Sequence, residues 1–186
     1  GLRLLDLPQQ GGYVADTDYF LQACLEEARL ERIKALQGIP RVQLSKEVYR
    51  HLAFRGKTEG VLARVPAKDH GLDQLHSLRK NPLILIAESP EKPGNIGALL
   101  RTADAAGLDA VIVADIRGDL YNPNTIRSSV GCLFTVPVAT APTAEILKWL
   151  KEHSISVLAA SLEGAVRYDL AEYTGPTAIA VGTEAT

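Results

Sequence analysis

Leu83-Ile-Leu-Ile-Ala87-Glu88-Ser-Pro-Glu-Lys-Pro93-Gly-Asn95-Ile-Gly97-Ala-Leu-Leu-Arg101-Thr-Ala-Asp104-Ala-Ala-Gly107 is the stretch that decides the fold. Leu83–Ala87 is an unbroken apolar run of strand length, the pattern of a strand covered on both faces. Pro and Gly then break the chain, and good helix formers follow until Gly107, a residue suited to closing a helix. A strand, a turn carrying Asn95 and a helix carrying an inward Arg101 predict a ligand site at the carboxyl edge of a parallel sheet. These residues leave a second reading open, an ordinary strand-to-helix turn. Asn95 would then be the N-cap, Gly97 a close-packing residue, and Arg101 a surface residue paired with Asp104 one turn on.

The pattern continues through the second half of the chain. Ala110–Ala114, Ile155–Ala160 and Thr177–Gly182 read as further apolar strands, with Leu133–Val138 as a fifth. Helices are predicted over Asn95–Ala106, Pro123–Val130 and Thr143–His153. Strands alternating with helices make an α/β unit whose sheet is mostly parallel, with helices on both faces. Trp149 falls at helical spacing with Ile146 and Leu150, which marks it as a packing residue. The first half is less regular. Thr17–Gln37 reads as an amphipathic helix capped by Asp16 or Thr17, with Leu21, Cys24, Leu25, Ala28 and Ile33 on one face and Gly38 and Pro40 ending it. Val42–Leu44 and Gly60–Val65 read as strands around a helix that Ser45 caps and that runs to Ala53. The expected division is a first domain over residues 1–68, a linker over 69–82, and an α/β domain over 83–186.

Composition narrows the class. The 186 residues are 46% hydrophobic and 23% charged, ordinary for a globular chain with a sizeable core. The longest apolar runs fall far short of a membrane span and no charged-then-apolar leader opens the chain, so a cytoplasmic protein is expected. Net charge is −2, but its distribution is uneven. Arg29 to Lys68 carries ten Lys/Arg against three acids, whereas Gly71 to Thr186 carries nine against thirteen. The basic first part suits contact with a polyanion, and Arg50, Arg55 and Lys57 are its candidate phosphate contacts. Equally, those cations read as solubilising surface charge. Cys24 and Cys132 lie far apart, as reduced cysteines do, and His51, His70, His76 and His153 lack metal-ligand spacing. No metal is expected. Glu184 ends an apolar strand, where a charge needs a partner.

Three stretches carry a resemblance in the same order. They are Pro93-x-Asn95-x-Gly97-x-x-x-Arg101, then Ile126-Arg-Ser128-Ser129-Val-Gly131-Cys-Leu-Phe134-Thr-Val-Pro137-Val138, then Ala178-Ile-Ala-Val-Gly182-Thr183-Glu184. Together they resemble the SpoU/TrmH-type RNA 2′-O-ribose methyltransferases of the SPOUT class, well over residues 83–186 and more loosely over 13–65. The resemblance implies a sheet that is knotted when complete, preceded by a small α/β ribosomal-protein-like domain. Thr58–Ala63 resembles the strand closing that domain. It implies S-adenosyl-L-methionine as cofactor, RNA as partner (rRNA favoured over tRNA) and a homodimer. By this resemblance Arg101, Asn95 and Glu184 are the catalytic positions. Ser161, Leu162, Gly182, Thr183 and Glu184 are the cofactor positions, and Arg101 joins Arg50, Arg55 and Lys57 as an RNA contact; the Ser128 and Ser129 hydroxyls are RNA contacts that donate to a phosphate, or else cap a helix end. A guanidinium stays protonated, so Arg101 is expected to clamp a phosphate and orient the ribose rather than take its proton.

The departures matter too. Lys92 stands where the family often has Asp, the family's third motif has no counterpart, and the sequence contains no methionine. The expectation is a chain that begins inside its first domain and continues past Thr186. A non-catalytic RNA-binding protein with a degenerate methyltransferase fold is the alternative. A small-molecule enzyme of the dinucleotide-binding kind loses support because no G-x-G-x-x-G follows the first strand.

Overall fold

The computed structural model describes residues 2–5, 14–15, 41–52, 61–64, 67–161 and 164–182. In the first part, β1 (Leu2–Leu5), β2 (Val14–Ala15), β3 (Arg41–Leu44) and β4 (Val61–Arg64) form a mixed sheet in the order β2-β4-β1-β3. β1 runs antiparallel to β3 and parallel to β4. Helix α1 (Lys46–Leu52) starts as its sequence dictates, the Ser45 hydroxyl accepting the Val48 N–H at 3.2 Å. β1 and β2 have no counterpart among the predicted strands, and the predicted Thr17–Gln37 helix lies outside the described residues.

The second sheet has five strands, all parallel, in the order β7-β6-β5-β9-β8. Its elements are β5 (Leu83–Glu88), α2 (Pro93–Ala106), β6 (Ala110–Ala114), α3 (Pro123–Ser129), α4 (Cys132–Thr135), β7 (Val138–Ala141), α5 (Thr143–Glu152), β8 (Ser156–Ala159) and β9 (Thr177–Val181). The apolar runs of β5 and β6 are continuous because each face has its own core. Leu85, Val111 and Val113 pack on one side with Ile96 and Leu100 of α2, Ile126 of α3 and Leu133 of α4. Ile84, Ile86, Ala110, Ile112 and Ala114 pack on the other with Ile146 and Leu150 of α5. Trp149 lies at the margin of that second core, stacked on His153 with ring centroids 4.4 Å apart. Gly107 closes α2 as expected, left-handed at φ 65°, its N–H directed to the Ala103 and Asp104 carbonyls.

One strand differs from its sequence reading. Leu133–Val138 is not a strand: Cys132–Thr135 is a turn of helix and β7 begins only at Val138. Gly131, left-handed at φ 90°, starts that turn, while Pro137 has no N–H for a ladder and holds Val136 extended at ψ 135°. β8 is shorter than expected, because the Ile155 N–H is taken by the Leu150 carbonyl in closing α5.

Ahead of β5, His70 sits against β7. Its carbonyl accepts the Thr140 N–H at 2.7 Å, and its ring nitrogens lie 2.9 Å from the Val138 carbonyl and 2.8 Å from the Tyr121 hydroxyl. Arg79 grips Asp109 with two hydrogen bonds, at 2.5 and 2.9 Å, and Asp109 also accepts the Leu83 N–H at 2.7 Å. The Arg79 hydrogen bond, aided by the Leu83 N–H, holds the Asp109 carboxyl below the usual carboxylate range, against the opposing effect of burial. A carboxyl lowered on folding adds stability above its unfolded pKa and loses it as pH falls through the folded one. Asp109→Asn is therefore expected to lower the melting temperature at neutral pH and to flatten its decline on acidification; unfolding melts across pH 2 to 7 would show an unchanged profile if the carboxylate were idle. Among the described residues, no helix is long and apolar enough to cross a membrane.

Candidate functional site at the carboxyl edge

The carboxyl edge of the sheet is cut off sharply. Ser89 and Asp115, the residues after β5 and β6, are left-handed at φ 44° and 46°. Their N–H groups nevertheless continue the ladder, to the Ala114 carbonyl at 2.9 Å and the Ala141 carbonyl at 3.1 Å. Asp115 then accepts from the Thr143 hydroxyl at 2.5 Å at the start of α5. Non-glycine residues bear a cost in this region of backbone space, and such strain gathers at functional edges.

Over β5 and β9, the central pair of strands, this edge opens into a hollow of about 270 Å³. It is lined by Ala87, Glu88, Pro90, Asn95, Ala98, Leu99, Val181 and Gly182. β5 sends the chain away toward β6 while β9 arrives from β8 on the other side, so the crevice sits where open α/β sheets take ligands. Asn95, expected at the catalytic positions, and Gly182, expected at the cofactor positions, both line this hollow. Asn95 is not the N-cap of α2. The helix starts two residues earlier, at Pro93, with extended Lys92 as a cap whose side chain makes no capping bond. Pro at the first helical position supplies its own preset φ, so no side-chain cap is needed to start the turn. Asn95 thus sits inside the first turn, its N–H on the Lys92 carbonyl at 2.9 Å, on the face that Ala98 and Leu99 continue.

Arg101 does not join that hollow. Six residues after Asn95, it lies about 120° around the helix, on the face it shares with Gly97. That face meets α3, and the Arg101 guanidinium donates to the Ser128 carbonyl. The side chain is exposed rather than inward. Gly97 makes the approach possible: a Cβ there would meet the Ser128 hydroxyl at 2.0 Å and the Ser129 nitrogen at 2.6 Å. Ser128 itself donates to the Thr125 carbonyl at 3.2 Å. Ser129 is fully buried and donates to the Ile126 carbonyl at 2.8 Å, so it closes a helical turn and faces no RNA. The turn ends on Val130 at φ 58°, a left-handed conformation unusual for a β-branched residue.

A second hollow, of about 490 Å³, runs along β8 and the loop after it. Ala160 and Ser161 line it with apolar groups that include Val157, Val166, Tyr168 and Ile179. The two hollows both touch β9 and both are lined mostly by apolar groups; the one along β8 is apolar enough for a flat aromatic ring, and Glu88 and Asn95 are the polar side chains of the other. Arg50 is exposed on α1. Leu162, Thr183, Glu184, Arg55 and Lys57 lie outside the described residues. Burial, with the Asp104 carboxylate second, pushes the Cys132 thiol up, which suits a packing cysteine rather than a nucleophile. Among the described residues, no cluster of His, Cys, Asp and Glu is placed to hold a metal ion. Glu88 is the hollow residue that sequence reading passed over. Its signal was an acid ending an apolar strand, at the edge where ligands bind.

Comparison with known proteins adds independent findings. Residues 82–186 match the model of the SpoU rRNA Methylase family. The chain is 34% identical over 112 residues to the 23S rRNA (guanosine(2553)-2′-O)-methyltransferase RlmP of Bacillus subtilis, covering 60% of this chain and 44% of that protein. It therefore spans less than half the length of that relative. Among solved structures, a crystal structure of an RNA 2′-O ribose methyltransferase is 32% identical with a TM-score of 0.68, over 92% of this chain and 69% of that one. An AdoMet-bound rRNA methyltransferase from Sinorhizobium meliloti is 26% identical with a TM-score of 0.60, over 65% and 46%.

Proposed function

Because the chain belongs to the SpoU rRNA Methylase family, we propose that it methylates the ribose 2′-hydroxyl of an RNA, ribosomal RNA before transfer RNA, with S-adenosyl-L-methionine as donor. The observation that carries this reading is the hollow over β5 and β9, which Asn95 and Gly182 both line at the carboxyl edge of the matched sheet. The AdoMet-bound neighbour and the rRNA 2′-O-methyltransferase relative support the cofactor and the substrate class.

The residues present suit the donor. The apolar hollow along β8, with Ser161 at its rim, takes the adenine. Gly182, without a side chain, leaves open space toward Glu88. Leu162, Thr183 and Glu184 complete the pocket in this proposal, Glu184 ordering the side of the site formed by Pro93–Arg101. The chemistry supplied by the donor is an electrophilic methyl group on a sulfonium sulfur. The protein's share is placement, since holding two reactants in attack geometry removes on the order of 7 kcal/mol or more from a barrier. Asn95 donates to or accepts from the ribose hydroxyl. Arg101, steadied by the Ser128 carbonyl, keeps further N–H groups for a phosphate oxygen, a fork that Lys does not reproduce.

In this reading residues 1–68 form the RNA-docking domain, joined by residues 69–82 to the methyltransferase domain, with Arg50, Arg55 and Lys57 on phosphates. The protein acts in the cytoplasm as a homodimer. Exposed Leu170, which lines neither hollow, supports an interface. Titration calorimetry of the full-length protein with S-adenosylmethionine is the test. Micromolar binding that Gly182→Val abolishes is expected. A folded protein with no affinity would refute the enzyme and leave an RNA-binding module.

A further inference from the structure

We propose that Glu88 is the group that takes the proton from the attacking ribose hydroxyl, an inference that rests on the methyl-transfer reading above. Alkylation of a 2′-hydroxyl forms an O–C bond, breaks the S–C bond and releases the hydroxyl proton, which needs an acceptor. Arg101 cannot be that acceptor: its guanidinium stays protonated, and it is turned toward α3 onto the Ser128 carbonyl. Asn95 has no basic site. Glu88 is the one titratable side chain among the eight described residues that line the hollow. A carboxylate accepts through either oxygen.

Three observations place it for this task. Its Oε2 lies 3.9 Å from where a Cβ on Gly182 would be, so the carboxylate reaches across from β5 to β9 over open space. Among the described residues it has no hydrogen-bond or ion-pair partner, whereas nearby Glu91 is taken up by Arg117 at 2.8 Å. The next residue, Ser89, holds the left-handed φ of 44° that ends β5 and fixes Glu88 at the rim. In the reaction the 2′-oxygen keeps the O–H electron pair and forms the new bond to carbon. The sulfur leaves with the S–C pair, and the proton passes to the Glu88 carboxylate, then to water.

The test compares the wild-type protein with Glu88→Gln and Glu88→Asp, using S-adenosylmethionine and an unmodified 23S rRNA transcript. Glu88→Gln keeps size and polarity but accepts no proton, so kcat should fall on the order of 10²- to 10⁴-fold. KM for RNA and calorimetric affinity for S-adenosylhomocysteine should stay within about threefold. Glu88→Asp should be faster than Glu88→Gln. Equal rates for both variants and the wild type would overturn the inference while leaving the methyltransferase reading intact. Loss of S-adenosylhomocysteine binding in Glu88→Gln would overturn it too, by making Glu88 a holder of the donor. A wild-type protein that binds no donor and methylates nothing would overturn the methyl-transfer reading and this role with it.

Discussion

Arg101→Ala is expected to lower kcat/KM for RNA methylation roughly 10- to 150-fold, the loss that follows when a hydrogen bond to a charged group disappears. Affinity for S-adenosylmethionine should not change, because Arg101 does not line the hollow over β5 and β9. Arg101→Lys is the more searching variant. It keeps the charge but loses the planar fork that allows one N–H to rest on the Ser128 carbonyl while others face a phosphate. It should recover only part of the rate. Measuring kcat/KM for RNA beside calorimetric donor affinity separates the two jobs; an equal loss in both would place Arg101 at the donor instead.

Gly97→Ala is expected to cost about 1–3 kcal/mol of stability, the usual penalty for adding a methyl group to a closed interface. The added Cβ would meet backbone as well as side chain, with the Ser129 nitrogen at 2.6 Å and the Ser128 carbonyl carbon at 2.7 Å. Rotamer changes cannot relieve a backbone clash, so α2 and α3 must separate. Separation would also move the Ser128 carbonyl from Arg101, so RNA methylation should fall together with stability. Gly94→Ala is the control, since nothing lies within 4 Å of a Cβ there. It should melt at or above the wild-type temperature. Similar melting for the two variants would show that the helix crossing is looser than described.

Legibility followed the physics of each segment. β5 and α2 could be read because a strand buried on both faces is continuously apolar, and because Gly107 has a conformational reason to be where it is. The start of α2 was misplaced by two residues, since Pro93 begins a helix as readily as an Asn cap does. Leu133–Val138 is as apolar as a strand. Gly131 and Pro137 are what divide it into a helical turn and a later strand, and that signal is positional rather than compositional. Asn95 and Arg101 form a pair by resemblance, yet their six-residue spacing puts them on different faces of α2. Glu88 carries one local signal, an acid ending an apolar strand, and that signal points to a site only once the opposing strand, with Gly182, is in place. Ser128 was expected to act through its hydroxyl, whereas its carbonyl is what Arg101 finds, and no sequence pattern reports a backbone acceptor.

The most direct measurement is nucleoside mass spectrometry of an unmodified 23S rRNA transcript incubated with the full-length protein and S-adenosylmethionine carrying a labelled methyl group. One labelled nucleoside with the methyl on the ribose 2′-oxygen is expected, formed more slowly by Arg101→Ala. Label on a base, or no label from a folded protein that binds RNA, would contradict it.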